Sequence, residues 1–232
     1  MLPSILKLAL AVLALVATGA QAQGQAQAQA QAQDANLLVS HTVVSLGADG
    51  LKRTTEFSER VYRRANLVWI ERVIPEGAHN PQEHAAGGRD HKHLDVAAAA
   101  RWITRDERGH VQVKLVSRED KAVVGISSAD YGNIGFDGSW PAAYHLIDPA
   151  MLGRLKPGQN TAQGQWYSLA DKNGSMRVLW SEALQVPLQV EMQNSRGNSR
   201  KSTRVQMLAA PAAPAWTQLS GYDSKDYSDF LD

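Results

Sequence analysis

Four of the chain's seven histidines fall between positions 79 and 93, in the stretch HNPQEHAAGGRDHKHLD. The spacing is His79-x4-His84-x6-His91-x-His93, with Glu83, Asp90 and Asp95 among them. Neutral imidazole suits zinc, copper(II) and nickel, and carboxylates can complete a shell around the same ion. His91 and His93 are two apart, so an extended backbone sends both rings to one side. Ala85-Ala86-Gly87-Gly88 then leaves His84 or His79 free to fold back. Three histidines leave an open position on a metal, whereas four close the shell as in a structural site. The spacing matches no motif as specific as H-E-x-x-H, and Pro81 with two glycines describes a solvated connection equally well. A pH-sensitive loop is a third reading, because neighbouring imidazoles charge together as pH falls towards about 6. His79, His84, His91 and His93 are therefore candidate zinc or copper ligands, and the sequence requires no cofactor.

Other chemistry is poorly supplied. There is no cysteine, which removes disulfides, thiolate zinc sites, iron–sulfur clusters and a thiol nucleophile together. The serines of GISSAD lack the G-x-S-x-G turn, and no phosphate-cradling glycine loop is present. His41, His110 and His145 stand alone in the sequence. These absences point to a protein that is not an enzyme.

The chain opens with MLPSILKLALAVLALVATGAQA: Lys7, an apolar run from Leu8 to Val16, and an A-x-A-like exit at Ala20-Gln21-Ala22. This is the plan of a secretory signal peptide over 1–22, and the run is short of the roughly 20 apolar residues a membrane span needs. Without Lys7 the balance is 23 basic against 23 acidic residues, a poor charge for nucleic acid. Gln-Ala alternation then runs to Gln33, a low-complexity linker over 23–35. The expected location is the periplasm, with no stable membrane span after the signal is removed.

The elements that must position any site are mostly strands. LLVSHTVVSL ends in the turn GADG; NLVWIERVI closes at Pro75 and Gly77 into the histidine loop. Val111, Val113 and Leu115 alternate along one arm of a hairpin turning at 105–109, and KAVVGISSA is a further strand. WPAAYHLIDPAMLGRL carries Trp140, Tyr144, Leu146, Ile147, Met151, Leu152 and Leu155 at three- and four-residue spacing, predicting a helix broken at Pro149 and capped by Ser139. PGQNTAQG reads as a loop. WYSLADKNGSMRVLW, QVPLQVEMQN and KSTRVQML are strands. About nine strands and one helical pair predict an α+β, mostly β fold: a single domain over 36–208 with a strongly curved antiparallel sheet. A Pro/Ala connector and an acidic tail over 209–232 follow, with one terminal helical turn capped by Ser224. The basic segments 52–64 and 196–204, with Glu182 and Glu191, read as edge protection and solubility.

The hairpins VSLGADGLKRTTEFSERVYRRANLVWIERVI and SMRVLWSEALQVPLQVEMQNSRGNSRKSTRVQML carry Trp180, Pro187, Leu188, Glu191 and Gly197, with Phe136-Asp137-Gly138-Ser139-Trp140 between them. In this the chain resembles the periplasmic lipoprotein-carrier superfamily, the outer-membrane lipoprotein-sorting type and its lipoprotein-sensing regulatory relatives. The resemblance covers about half of the sequence beyond the signal. It implies a half-open barrel-like sheet with a small helical lid over an apolar cavity, and as partner an apolar ligand or lipidated envelope protein. Candidate cavity residues are Phe57, Trp69, Trp140, Leu146, Trp180 and Leu188, with Val43, Leu115 and Val124 as further lining. The expected function is a non-catalytic binding protein of the cell envelope; the alternative is a periplasmic metal-binding or metal-sensing protein built on the histidine loop.

Overall fold

The computed structural model describes residues 34–75 and 94–230. They form one unclosed, curved sheet of twelve strands, more than the nine read from the sequence. Six strands make the first meander: β1 (Ala35–Leu46), β2 (Lys52–Arg64), β3 (Leu67–Val73), β4 (Ala100–Arg105), β5 (Val111–Ser117) and β6 (Ala122–Ile126). Five make the second: β7 (Lys156–Asn160), β8 (Gln165–Asp171), β9 (Gly174–Ser181), β10 (Val186–Asn194) and β11 (Ser199–Met207). Antiparallel pairing of β1 with β11, from Leu37 opposite Met207 to Ser45 opposite Ser199, stitches the meanders together. The order across the sheet is β6-β5-β4-β3-β2-β1-β11-β10-β9-β8-β7, with a short β12 (Asp223–Asp226) outside β6.

Strand alternation assigns every side chain to one of two faces. Leu37, Val61, Val68, Ile103, Val113, Leu115 and Val124 share one face and are buried there. That face is covered by the helical insert, so we call it the lidded face. The opposite face buries Tyr62, Trp69, Ala100 and Val116, packed with Trp102, Trp216, Leu219 and Tyr222. Turn chemistry sets the registers. Gly50 adopts φ +74 after Asp49, whose carboxylate accepts from Leu51 N at 3.0 Å. At Gly174, φ +144 and the backbone of Gln193 leave no room for a Cβ, so the β8–β9 turn needs glycine.

Three elements differ from the sequence reading, each because tertiary packing decides a local ambiguity. Lys156–Asn160 is an edge strand rather than a loop, formed only because β8 offers it a partner. The helical insert is a single α-helical turn and a half, α1 (Trp140–His145), followed by a separate 3₁₀ segment, Pro149–Arg154. The tail does not end in a turn capped by Ser224: that residue lies within β12, which pairs in parallel with β6, and the 3₁₀ turn is Tyr227–Phe230. From Ser58 to Arg64 in β2 and from Arg200 to Arg204 in β11 the strands are paired on both sides, so the bases there do not protect an edge; among the described residues Lys52 and Arg53 lie on the part of β2 that pairs with β1 alone.

Candidate functional site

The lid is built from two capped segments. Ser139 accepts a hydrogen bond from Ala142 N at 3.2 Å, with Pro141 just inside the helix start. Trp140 and Tyr144, one helical turn apart, lie buried with ring centroids 5.3 Å apart. Leu146 ends the helix at φ +66, a left-handed conformation that turns the chain sharply. Asp148 then caps the 3₁₀ segment by accepting from Ala150 N at 2.9 Å. Ile147, Met151 and Leu152 pack on Leu155, Val178, Trp180 and Val190.

A buried arginine fastens the lid to the sheet. Arg63 of β2 is 1% exposed, and its Nη2 donates to Leu184 O at 2.7 Å. Its Nη1 lies 3.3 Å from Tyr144 O and 3.4 Å from Gln185 O, and the guanidinium sits 4.7 Å from the Tyr144 ring centre. One cation thus holds the end of α1 and the β9–β10 turn together. His145 strengthens the joint through Nδ1, 2.8 Å from Gln185 O. A carbonyl only accepts, so Nδ1 carries the hydrogen.

Burial holds His145 below the ordinary histidine pKa of 6.5. Glu59, beside His41 and Arg101, is held below 4.5: burial alone would raise it, but contact with His41 and the charge of Arg101 outweigh that. Both folded-state pKa values are depressed, so the unfolded chain binds the extra protons and stability falls as pH falls. The loss is expected to begin as pH drops through 6.5 and to steepen below 4.5. Urea midpoints followed across this range should show the upper limb shrink in His145→Gln; an unchanged limb in that variant would remove His145 from the account.

Beyond the lid the same face continues uncovered. Strand registers place Tyr167, Val178, Val190, Thr203, His41 and Phe57 in one row across six strands. The next row outwards begins Leu169, Met176, Met192. Leu169 is 38% and Met192 45% exposed, so an apolar strip leads out from beneath Met151 and Leu152. Methionine is flexible and polarisable, and suits a surface that must adapt to its ligand. At the far end of the inner row, His41 stacks on Phe57 at 4.6 Å and the Arg72 guanidinium covers that ring at 4.0 Å. His41 Nδ1 pairs with Thr203 Oγ1 at 3.1 Å, while Nε2 lies 3.3 Å from Glu59 Oε2 without hydrogen-bond geometry.

The candidate cavity residues do not all share this face. Phe57 and Trp180 lie on it, and Trp140 and Leu146 belong to its lid. Leu188 sits in the irregularity between Pro187 and Gln189. Trp69 is fully buried on the opposite face, its Nε1 donating to Glu71 Oε2 at 3.1 Å. It borders a cavity of about 340 Å³ with Glu71, Arg118, Pro211 and Tyr222. A second cavity, about 420 Å³, lies between β5, β6 and the tail, lined by Val113, Ile126, Asp130, Asp226 and Tyr227. His79, His84, His91 and His93 lie outside the described residues; among the described residues no group of three or more histidine and carboxylate side chains is placed to hold a metal. Sequence reading missed Arg63, which looks like one more base in a charged strand. It also missed the Met176–Met192 strip, which needs the β9–β10 register to be seen.

An unclosed, curved, mostly antiparallel sheet with a short helical lid on one face defines a half-open architecture. No family model and no curated protein matches the chain. Among solved structures it is similar to a putative outer-membrane lipoprotein-sorting protein domain from Vibrio parahaemolyticus, with 11% identity over 80% of this chain and 89% of that one and a TM-score of 0.33. It is also similar to a LolA-superfamily protein from Nitrosomonas europaea, with 9% identity, coverage of 78% and 88%, and a TM-score of 0.29. A third is the MucA/MucB complex of Pseudomonas aeruginosa, with 14% identity, coverage of 82% and 56%, and a TM-score of 0.30.

Proposed function

We propose that this chain is an exported, non-catalytic binding protein of the periplasm that holds an apolar ligand, or the lipid of a lipidated envelope protein, against its lidded face. Residues 1–22 leave on export, residues 23–35 tether the domain over 36–208, and 209–232 strap it. The observation that carries the reading is the strip Leu169–Met176–Met192, exposed at Leu169 and Met192 and joined through half-buried Met176 to the apolar layer beneath Met151 and Leu152. An alkyl chain entering along the strip slides under the 3₁₀ segment, which the turn at Leu146 allows to tilt independently of α1. Each methylene so buried contributes about 0.8 kcal/mol, so a partly enclosed acyl chain is held without a polar contact.

Native mass spectrometry of protein recovered from the periplasm without a histidine tag tests this, because a bound lipid appears as an added mass. Met176→Asp combined with Met192→Asp is expected to weaken uptake of a fluorescent fatty acid about tenfold or more, since charge in the strip must be desolvated as the chain enters. Leu146→Trp should impair loading while the fold is kept. A protein that neither carries nor takes up any apolar molecule sinks the proposal.

A further inference from the structure

Three hairpin tips lie side by side at one end of the sheet. Leu46 N donates to Asn198 O at 2.8 Å, joining the β1–β2 and β10–β11 tips, and Ser195 N donates to Asn173 O at 3.0 Å, joining the latter to the β8–β9 tip. Across residues 45–53, 171–174 and 193–201 there are six bases, Lys52, Arg53, Lys172, Arg196, Arg200 and Lys201, against two acids, Asp49 and Asp171. The whole chain carries a formal charge of only +1, so this end concentrates positive charge that the rest offsets. Asp49 is engaged by Arg53 at 2.6 Å, and Asp171 accepts from Asn173 N at 2.7 Å. Amid these bases stand two bare leucines, Leu46 at 50% and Leu51 at 59% exposure. They flank a tight turn held by Gly47 N to Leu51 O at 2.9 Å, so both are presented on a short, ordered tip.

We propose that this end of the sheet docks on an anionic phospholipid surface. The bases match the headgroup charge, and Leu46 and Leu51 enter the boundary between headgroups and acyl chains. An acidic polypeptide would answer the charge but would leave two leucines on a rigid tip without a role. Lys201 lies opposite Met192 in the register, so the docked end is also the end at which the apolar strip reaches the surface. The docking proposal stands whether or not the strip holds a ligand.

Co-sedimentation with vesicles tests it, using parent and variants recovered identically from the periplasm so that the N-terminal segment is common to all. The parent is expected to bind vesicles of phosphatidylcholine with phosphatidylglycerol, and not phosphatidylcholine alone. Salt should weaken the binding, because screening shortens the reach of the bases. Each removed charge should cost about fivefold, so Arg196→Gln, Arg200→Gln and Lys201→Gln together weaken binding on the order of a hundredfold. Leu46→Ser with Leu51→Ser should weaken it about tenfold, since both leucines lose apolar contact with lipid. All of these positions are exposed, and an unchanged circular dichroism spectrum verifies the fold. Equal binding to neutral vesicles, no binding, or indifference to either set of variants overturns the proposal. So does retention on immobilised polyglutamate without vesicle binding, which would assign the patch to an acidic polypeptide. Uptake of a free fluorescent fatty acid, measured without vesicles, should be unchanged in the leucine pair, so the two proposals fail separately.

Discussion

Arg63→Ala is expected to lower stability by about 3–5 kcal/mol, seen as a lower urea midpoint with a similar slope. Among the described residues Arg63 is the only charged side chain that is fully buried, and the substitution takes its hydrogen bonds away from the carbonyls of Tyr144 and Leu184. Each buried polar group left unpaired costs about 1–3 kcal/mol, and the lost packing on the Tyr144 ring adds to that. Gln185 O is less affected, because His145 Nδ1 also reaches it. Arg63→Lys separates charge from geometry: a single ammonium cannot span carbonyls on α1 and on the β9–β10 turn at once, so about half of the loss should remain. The lid, not the sheet, should loosen first, giving faster amide exchange in 140–155 than in β3–β5. A midpoint shift worth less than about 1 kcal/mol in Arg63→Ala would show that water replaces the guanidinium without penalty.

Removing residues 209–232 should be at least as damaging. This segment crosses the outer face, rounds the β6 edge as β12 and returns to the lidded face. Trp216 lies 5.9 Å from the Tyr62 ring and 6.2 Å from that of Trp69, with the Arg64 guanidinium 5.4 Å from its own ring centre. Tyr227 and Phe230 pack against the main core. Five large, partly buried apolar side chains leave with the segment, counting Leu219 and Tyr222, at about 1 kcal/mol each or more, and Ala215 goes with them. A total near 5 kcal/mol matches the low end of a domain's whole stability, so the truncated chain should be marginal and prone to pair through its bared β6. Trp216→Ala keeps the strand and the edge covered and should cost about 2 kcal/mol, which tests the strap in a protein that still folds. An unaltered midpoint in both variants would make the strap an accessory.

Sheet class, helix placement and most strands were legible because alternation at Leu37–Val39 and Val113–Leu115, the Asp49-Gly50 turn and the Ser139 cap are local signals. β7 was not, since KPGQN has no strand pattern and exists only by pairing with β8. The parallel β12 was hidden for the same reason. Of the site, Trp140, Leu146 and Trp180 are large apolar residues whose types announce burial. Their periodicity does not tell which face of which strand they occupy, and so Trp69 was grouped with residues on the other side of the sheet. Arg63 illustrates the opposite failure: it sits in KRTTEFSERVYRR among exposed charges, and only the three-dimensional convergence of Tyr144, Leu184 and Gln185 makes it a clamp.

The stitching of β1 to β11 has a kinetic consequence. Leu37 faces Met207, so a strand near the start of the domain has one neighbour close at hand in β2 and another 170 positions downstream. Until β11 arrives, one whole edge of β1 stays open, and the first meander cannot settle against the second. Closing so long a loop is slow, as in other chains dominated by distant pairings. If the chain is exported as proposed, this delay keeps it loose while it crosses and defers final closure until nearly all of it has reached the far side.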